Sequence, residues 1–314
     1  MGRLEIRPFS EDHLGGAATL LAERHRRHRE AEPLLPEIAD FRSELEEAWG
    51  AEGASGAAAL DGDRLVGYLV GAPREEDRWG ANVWVMAAGH AVTEAEAVRD
   101  LYDVAATRWV DEGWTRQYTL VPATDDALVD AWFRLSFGLQ HAAGIREVPP
   151  DATFPEGTRV ATEDDLDALV ELSPLLNRHQ ARSPVFGGRR EETEDEIRAD
   201  ILEDLGSPEV GTLVAEVEGR IVANFVVVPA TMSSMHAGLG RPERAALLGF
   251  AISSPDARGS GAGVALTEAC FAWAREHGFD TMVTDWRVTN LLASRFWPRR
   301  GFRRTFLRLY RSIP

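Results

Sequence analysis

The two halves of the sequence resemble each other at a constant distance of 165 residues. Corresponding positions include Gly113 and Gly278, Asp125 and Asn290, Trp132 and Trp297, and Phe137 and Phe302. A repeat that keeps one register over several motifs indicates that a structural unit was duplicated. Each half must then form the same kind of unit, which limits the possible architectures more than composition does.

The order of hydrophobic patterns is also the same in both halves. A helical pattern before Gly278 comprises Leu266, Ala269, Cys270, Trp273, Ala274 and His277, and its counterpart comprises Leu101, Tyr102, Ala105 and Trp109. Upstream, Gly62 and Gly219 each lie between alternating apolar segments, as in a β-hairpin. We predict an α/β fold of two tandem domains, each a mixed central sheet flanked by helices.

A proline-rich segment separates the halves. Residues 149–157 contain three prolines and have neither helical nor strand periodicity. We therefore predict one domain over residues 1–148, a linker over 149–157 and a second domain over 158–314. A chain of 314 residues is long enough for two separate cores.

Composition excludes several functional classes. The net charge of −17 argues against nucleic-acid binding, which depends on basic surface. The single cysteine, Cys270, permits no internal disulfide and no thiolate metal cluster, and we predict no metal site. Apolar runs are too short to span a membrane, and the N-terminus lacks the pattern of a signal peptide, so we expect a cytoplasmic protein without membrane partners.

A glycine-rich loop in the second half has the features of an anion site. An apolar strand pattern over residues 247–254 is followed by Arg258, Gly259, Gly261 and Gly263, and then by the helical pattern. A glycine turn at a helix N-terminus presents unpaired N–H groups and partial positive charge. The dinucleotide fingerprint would need glycine where Val264 stands, and a phosphate-binding P-loop would need a lysine, which the sequence lacks.

The residues that do fit are Arg258, Gly261 and Gly263, followed downstream by Asn290, Ala293, Phe296, Trp297, Gly301 and Phe302. In type, order and spacing these two motifs resemble the signatures of the GNAT superfamily of N-acetyltransferases. The resemblance extends from about residue 158 to the end. It implies acetyl-CoA as co-substrate, with the pyrophosphate bound by the glycine loop.

The resemblance also implies individual site residues. The backbone of Ala251, Ile252 and Ser253 would pair with the pantetheine arm. The loop residues that would bind the cofactor are Arg258, Gly259, Ser260, Gly261, Ala262, Gly263 and Val264, and Asn290 and Trp297 would contact it farther along. Asn290 equally suits a helix N-cap, and both roles are compatible. Asp285 stands where some members have a catalytic base, although a carboxylate that is merely half exposed, or that pairs with Arg287, is an alternative.

Several aromatic, cysteine and histidine residues are better explained by packing or by loop positions than by catalysis. Trp297 replaces the tyrosine that many family members use as an acid, and the indole N–H cannot fill that role. Tyr310 could replace it as the acid, but it is more consistent with an ordinary strand position. Cys270 is consistent with an inert position in the core. His179 and His236 are possible acceptor contacts, but we interpret both as ordinary loop residues. His25 and His28 lie in an arginine-rich run and are interpreted as solvent-facing.

The first half lacks the corresponding functional residues. Thr93, Glu94, Ala95 and Glu96 replace the glycine loop and place two carboxylates where a pyrophosphate would lie. This half is interpreted as a degenerate copy with a structural role, as in tandem GNAT proteins such as mycothiol synthase. We predict acetyl transfer to a small-molecule amine by a monomer or homodimer. The alternatives are a non-catalytic acyl-CoA-binding or regulatory module, a tandem acetyltransferase similar to mycothiol synthase, and a scaffold that binds no cofactor.

Overall fold

A computed structural model describes residues 4–74, 79–187 and 190–314 of the chain. The chain forms two compact units. Unit 1 comprises Met1–Ala143, Gly238–Gly240 and Arg304–Pro314, and unit 2 comprises Gly144–Ala237 and Arg241–Arg303. Within the described ranges, no helix combines the length and the hydrophobicity that a membrane span requires.

Unit 1 contains two sheets and four helices among its described residues. Its elements are β1 (Glu5–Pro8), α1 (Leu14–Ala31), α2 (Phe41–Gly50), β2 (Ser55–Asp61), β3 (Arg64–Gly71), β4 (Asn82–Val85), β5 (His90–Val92), α3 (Ala97–Asp111), β6 (Arg116–Pro122), α4 (Asp126–Phe133) and the first part of β7 (Gly138–Glu147). The strand orders are β1-β2-β3-β5 and β4-β6-β13-β7, where β13 is Arg303–Ser312. Leu21, Leu45 and Tyr68 belong to a hydrophobic core cluster of this unit.

Among its described residues, unit 2 has a similar but not identical order of elements, with three helices between its first and second strands where unit 1 has two. Its elements are β8 (Thr158–Val160), α5 (Leu166–Leu172), α6 (Pro174–Gln180), α7 (Glu194–Gly206), β9 (Gly211–Val217), β10 (Arg220–Pro229), β11 (Ala245–Ser253), α8 (Ala262–Glu276), β12 (Thr281–Arg287) and α9 (Leu291–Arg299). The strand order is β7-β12-β11-β10-β9-β8, in which β11 and β12 are parallel. The apolar face of α8 is buried as its periodicity predicts, and Gly278 follows the helix with a left-handed φ of 78°.

The final strand differs from the expectation drawn from the sequence. Residues 304–314 were expected in the second domain, but their contacts group them with unit 1, where β13 pairs antiparallel with β6 from Phe306↔Pro122 to Ser312↔Arg116. Conversely, the end of β7 belongs to unit 2. The alternating pattern of a strand predicts which face is buried but not which neighbour it pairs with.

The interpretation of His25 and His28 as solvent-facing is wrong. Both side chains are buried on α1. The ring of His28 packs edge-on against Phe306 at a centroid distance of 4.9 Å, and the Nε2 of His25 lies 2.8 Å from the carbonyl oxygen of Pro36. The neighbouring arginines suggested an exposed segment, although His25 and His28 lie on the side of the helix that faces the core.

Candidate active site

The parallel strands β11 and β12 separate part of the way along unit 2. Their pairing runs from Ala245↔Thr281 to Leu248↔Thr284, whereas β11 continues to Ser253 while paired on its other side with β10. The side of residues 249–253 that faces away from β10 is called the open edge below. Its backbone groups can pair with an extended ligand, as an added strand would. Ala251, Ile252 and Ser253, which the sequence predicts as pantetheine contacts, all lie on this segment.

A β-bulge lies where the strands separate. Val226 of β10 pairs with Phe250 and Val227 pairs with Leu248, so Gly249 is the extra residue. The Oγ1 of Thr284 donates a 2.8 Å hydrogen bond to the carbonyl oxygen of Leu248 at this point. A bulge increases local twist and bends its strand, which explains why the pairing ends here. An isolated glycine inside a strand pattern is the sequence signal that could have predicted it.

The glycine loop leads from the open edge into α8. It spans residues 254–261, and Gly259 and Gly261 have φ values of +88° and +91°. Gly261 is the N-cap residue and provides no side-chain cap, while the Oγ of Ser260 accepts a 3.3 Å hydrogen bond from the N–H of Ala262. The next two N–H groups, those of Gly263 and Val264, have no acceptor within the helix. The loop therefore has the geometry of an anion site.

Asn290 begins α9 and is buried. Its Oδ1 accepts hydrogen bonds from the N–H groups of Leu292 at 3.2 Å and Ala293 at 3.3 Å, which confirms the N-cap interpretation. The Nε2 of His179 lies 3.2 Å from the same oxygen. Since this oxygen can only accept, the ring must donate from Nε2. The capping bonds also fix the orientation of the amide, so its Nδ2 remains a donor for a ligand.

The helix α6 contacts the turn between β12 and α9 through two consecutive residues. Beside the contact between His179 and Asn290, the Oε1 of Gln180 accepts a 3.2 Å hydrogen bond from the Nε of Arg287. These contacts join residues 111 and 107 positions apart in the sequence. The interpretation of His179 as an ordinary loop residue missed this arrangement, because no local pattern predicts such a contact.

Asp285 is the first residue of β12 beyond its pairing with β11. Its side chain is 42% exposed, and its Oδ1 lies 3.7 Å from the Nε2 of His236, whose side chain is only 6% exposed. The Oγ of Ser233 accepts 3.2 Å hydrogen bonds from the N–H groups of Met235 and His236 and shapes the loop around the ring. The structure thus places His236 against the predicted base.

The remaining predicted residues have packing positions. Trp297 is buried, with ring-centroid distances of 6.1 Å to Phe225 and 5.5 Å to Phe302. Cys270 is fully buried, and burial raises the pKa of its thiol, as expected of an inert core residue. Tyr310 lies in β13, where its ring packs on Tyr118 at 4.9 Å, as expected of a strand residue.

Unit 1 lacks an equivalent loop. Only residues 93–96 connect β5 to α3, against residues 254–261 in unit 2. Glu96 occupies the N-cap position of α3, and its carboxylate pairs with Arg99 at 2.6 Å and Arg134 at 2.7 Å. Glu96 thus stands at this helix N-terminus with its carboxylate held by two guanidinium groups, and its side chain makes no cap hydrogen bond.

The strand edge of unit 1 is also occupied. The pairing of β4 with β6 ends at Val85↔Thr119, and β5 continues beside β3 instead. Arg24, buried on α1, donates hydrogen bonds to the carbonyl oxygens of His90 and Ala87, the latter at 2.5 Å. These carbonyls belong to the segment that corresponds to the open edge of unit 2. Arg24 therefore satisfies backbone groups that unit 2 leaves available.

Comparisons with known proteins agree with this geometry. Residues 175–302 match the acetyltransferase (GNAT) family. A search of curated protein sequences found no match. A solved GCN5-related N-acetyltransferase from Sphaerobacter thermophilus has a TM-score of 0.59 at 15% identity, covering 99% of this chain and 96% of its own.

Two further structures are similar over most of the chain. A GCN5-related glucosamine N-acetyltransferase region of a fungal multi-domain β-N-acetylglucosaminidase has a TM-score of 0.56 at 14% identity, covering 98% of this chain and 38% of its own. A tandem GNAT protein from the clavulanic acid biosynthesis pathway has a TM-score of 0.49 at 13% identity, and the match covers 99% of this chain and 98% of that protein. Residues 175–302 thus match the model of the GNAT acetyltransferase family, and the fold of a solved GCN5-related N-acetyltransferase extends over nearly the whole chain.

Proposed function

We propose that unit 2 transfers an acetyl group from acetyl-CoA to a primary amine of a small molecule. The observation that supports this best is the continuous path from the open edge of β11 through the glycine loop to the N-terminus of α8. Its first part offers backbone pairing groups and its second part offers an anion site. This order matches a ligand with an amide-containing arm followed by a pyrophosphate.

Each predicted cofactor residue has a use on this path. Ala251, Ile252 and Ser253 would pair with the amides of the pantetheine arm. The loop from Arg258 to Val264 would bind the pyrophosphate, with glycines at the two left-handed positions and a guanidinium adding charge. Asn290 would donate from Nδ2, and Trp297 would support this side of the site through its packing.

The reaction needs a proton acceptor but no metal or redox chemistry. The neutral amine attacks the thioester carbonyl carbon, a C–N bond forms, the C–S bond breaks, and CoA leaves as a thiolate. We assign Asp285 as the base that takes the proton which the attacking nitrogen loses once the C–N bond has formed, because it lies half exposed where β11 and β12 separate. Trp297 cannot act as an acid, so the thiolate leaves without help from that position; a thiol with an ordinary pKa near 8.5 is a tolerable leaving group.

Unit 1 is proposed to bind no acetyl-CoA. Its short connection contains Glu96 at the helix N-terminus, and Arg24 occupies the carbonyls of its strand edge. A pyrophosphate would meet a carboxylate there, and like charges repel. We propose a structural role for this unit.

A non-catalytic acyl-CoA-binding module is the second candidate, favoured by the absence of a tyrosine at position 297. The two functions differ only in turnover. Release of CoA thiol in the presence of a panel of small amines would establish the enzyme, whereas binding without release for any amine would favour the module.

Titration calorimetry with acetyl-CoA tests the binding site on wild type, Gly261→Glu and Gly15→Glu. Both glycines have open space where a Cβ atom would lie, but only Gly261 belongs to the loop. We expect one site per chain, lost in Gly261→Glu and kept in Gly15→Glu. Two sites would contradict the proposal for unit 1, and no binding would reject the proposed function.

A further inference from the structure

We infer that His236 is a positioning residue that holds the carboxylate of Asp285 by donating a hydrogen bond from its Nε2. The inference rests on the proposed function and assigns a role to a residue that no motif identifies. It starts from the 3.7 Å distance between the Nε2 of His236 and the Oδ1 of Asp285.

The two partners differ in burial in a way that suits this role. The imidazole is 6% exposed and its loop is shaped by the bonds to Ser233, so the donor is fixed. The carboxylate, in contrast, is 42% exposed. The separation exceeds the usual N–H···O range by roughly 0.5 Å, and catalytic hydrogen bonds commonly shorten when substrates bind.

The hydrogen bond would engage Oδ1 of the carboxylate. A carboxylate accepts at both oxygens, through about four lone-pair sites, so it can take up the amine proton while it accepts from the ring. The amine proton passes to the carboxylate, and the electron pair of the N–H bond stays on nitrogen as the lone pair of the amide. A charge-assisted bond of this kind fixes the base without itself transferring a proton.

The first test measures the ring directly and needs no acceptor. Long-range ¹H–¹⁵N correlation spectra of the histidine rings are recorded for wild type, Asp285→Asn and Asp280→Asn. Asp280 is the matched control, since its carboxylate lies at the other end of β12 and pairs with Arg244 at 3.5 Å. We expect the neutral ring of His236 to be protonated at Nε2, and its nitrogen shifts to change in Asp285→Asn only. A ring protonated at Nδ1, or equal shifts in both variants, would overturn the inference.

The second test separates positioning from stability. Acetyl transfer to 2-phenylethylamine, putrescine and glucosamine is followed by release of CoA thiol for wild type, His236→Leu and His236→Gln. We expect kcat to fall about 10- to 100-fold in His236→Leu while the affinity for acetyl-CoA is unchanged, and to recover partly in His236→Gln, which keeps a donor. Wild-type kcat in His236→Leu would contradict positioning, as would a loss of kcat that glutamine does not restore.

The two proposals fail in different ways. If acetyl-CoA does not bind to wild type, the proposed function is wrong, and the role of His236 in it falls as well. If acetyl-CoA binds and is turned over but His236→Leu behaves as wild type, the proposed function stands and only the role of His236 is wrong.

Discussion

The Nε2 of His179 donates a hydrogen bond to the Oδ1 of Asn290 across 3.2 Å and so joins α6 to the residue that caps α9. The same oxygen caps the helix through two backbone N–H groups. Three donors therefore hold one side of the amide, and the other side is left with its two N–H bonds in a fixed direction. The arrangement orients Asn290 before any ligand binds.

Removing the imidazole of His179 should weaken the binding of acetyl-CoA more than it lowers the free energy of unfolding. In His179→Ala, we expect the Kd for acetyl-CoA to rise about 2- to 10-fold, the equivalent of one ordinary hydrogen bond. Calorimetry measures this change, and Arg178→Ala, on the same helix, is the control. An unchanged Kd in His179→Ala would show that the contact does not orient Asn290 for the cofactor.

Two substitutions at Asn290 should separate capping from binding. Asn290→Asp keeps an N-cap acceptor but loses the amide donor, so we expect near-wild-type stability and weaker acetyl-CoA binding. Asn290→Ala loses both, and the free energy of unfolding should fall by about 1 kcal/mol. Urea unfolding and calorimetry on the same samples distinguish the effects. If both variants bind acetyl-CoA as wild type does, Asn290 is a helix cap and nothing more.

Gly261 and Gly263 should respond oppositely to alanine. Gly261 has a φ of +91°, so a Cβ there costs about 1–2 kcal/mol of stability even though the space around it is open. Gly263 lies inside α8 with ordinary helical geometry, and a Cβ would meet Phe296 at 3.7 Å, an ordinary contact. Alanine should therefore stabilise the helix by about 0.5–1 kcal/mol. Thermal and urea unfolding test both, and destabilisation by Gly263→Ala would contradict the packing described.

Unit 1 should lose stability in mild acid. Burial, the largest cause, lowers the pKa of His28 and of His90 to about 3, and it also lowers the pKa of His25. Between about pH 6.5 and pH 3 the unfolded chain binds protons that these rings exclude when folded, so stability falls as the pH falls. At pH 5, the rings of His28 and His90 should each lower the free energy of unfolding by about 2 kcal/mol.

Urea unfolding at pH 7.5 and pH 5.0 measures this dependence. The carboxylates contribute little in this range, because stability from a carboxylate held by arginine is lost only as the pH falls below about 4, the pKa that it has in the unfolded chain. Asp165 is an example, since its hydrogen bond to Arg159 lowers its pKa to about 2 in the folded protein. His28→Gln should reduce the loss by about 2 kcal/mol. Equal stability at both pH values would show that the rings are protonated in the folded protein.

Arg24 should be essential to unit 1 despite being a buried cation. Arg24→Met leaves the carbonyl oxygens of Ala87 and His90 without their donor, and we expect a loss of about 2–4 kcal/mol. Arg27→Met, an exposed position on the same helix, should change stability by less than about 1 kcal/mol. Similar unfolding midpoints for the two variants would contradict the role assigned to Arg24.

Much of the protein follows from local sequence patterns. The repeat, the order of strands and helices, the glycine loop before α8 and the cap at Asn290 are all predicted correctly. Apart from the repeat, which is recognised over 165 residues, they depend on residues a few positions apart, where helical or strand periodicity and the conformational freedom of glycine leave a direct trace. The roles of the loop and of Asp285 toward a substrate stay predictions.

Tertiary structure alone decided which distant residues meet. The bulge at Gly249 ends the pairing of β11 with β12, β13 pairs with β6, and His236 lies against Asp285. His25 and His28 are buried in the core, although their arginine-rich surroundings in the sequence suggested exposure. Such contacts depend on strand order, register and loop paths, which a periodic pattern does not encode, because many pairings bury the same apolar face equally well.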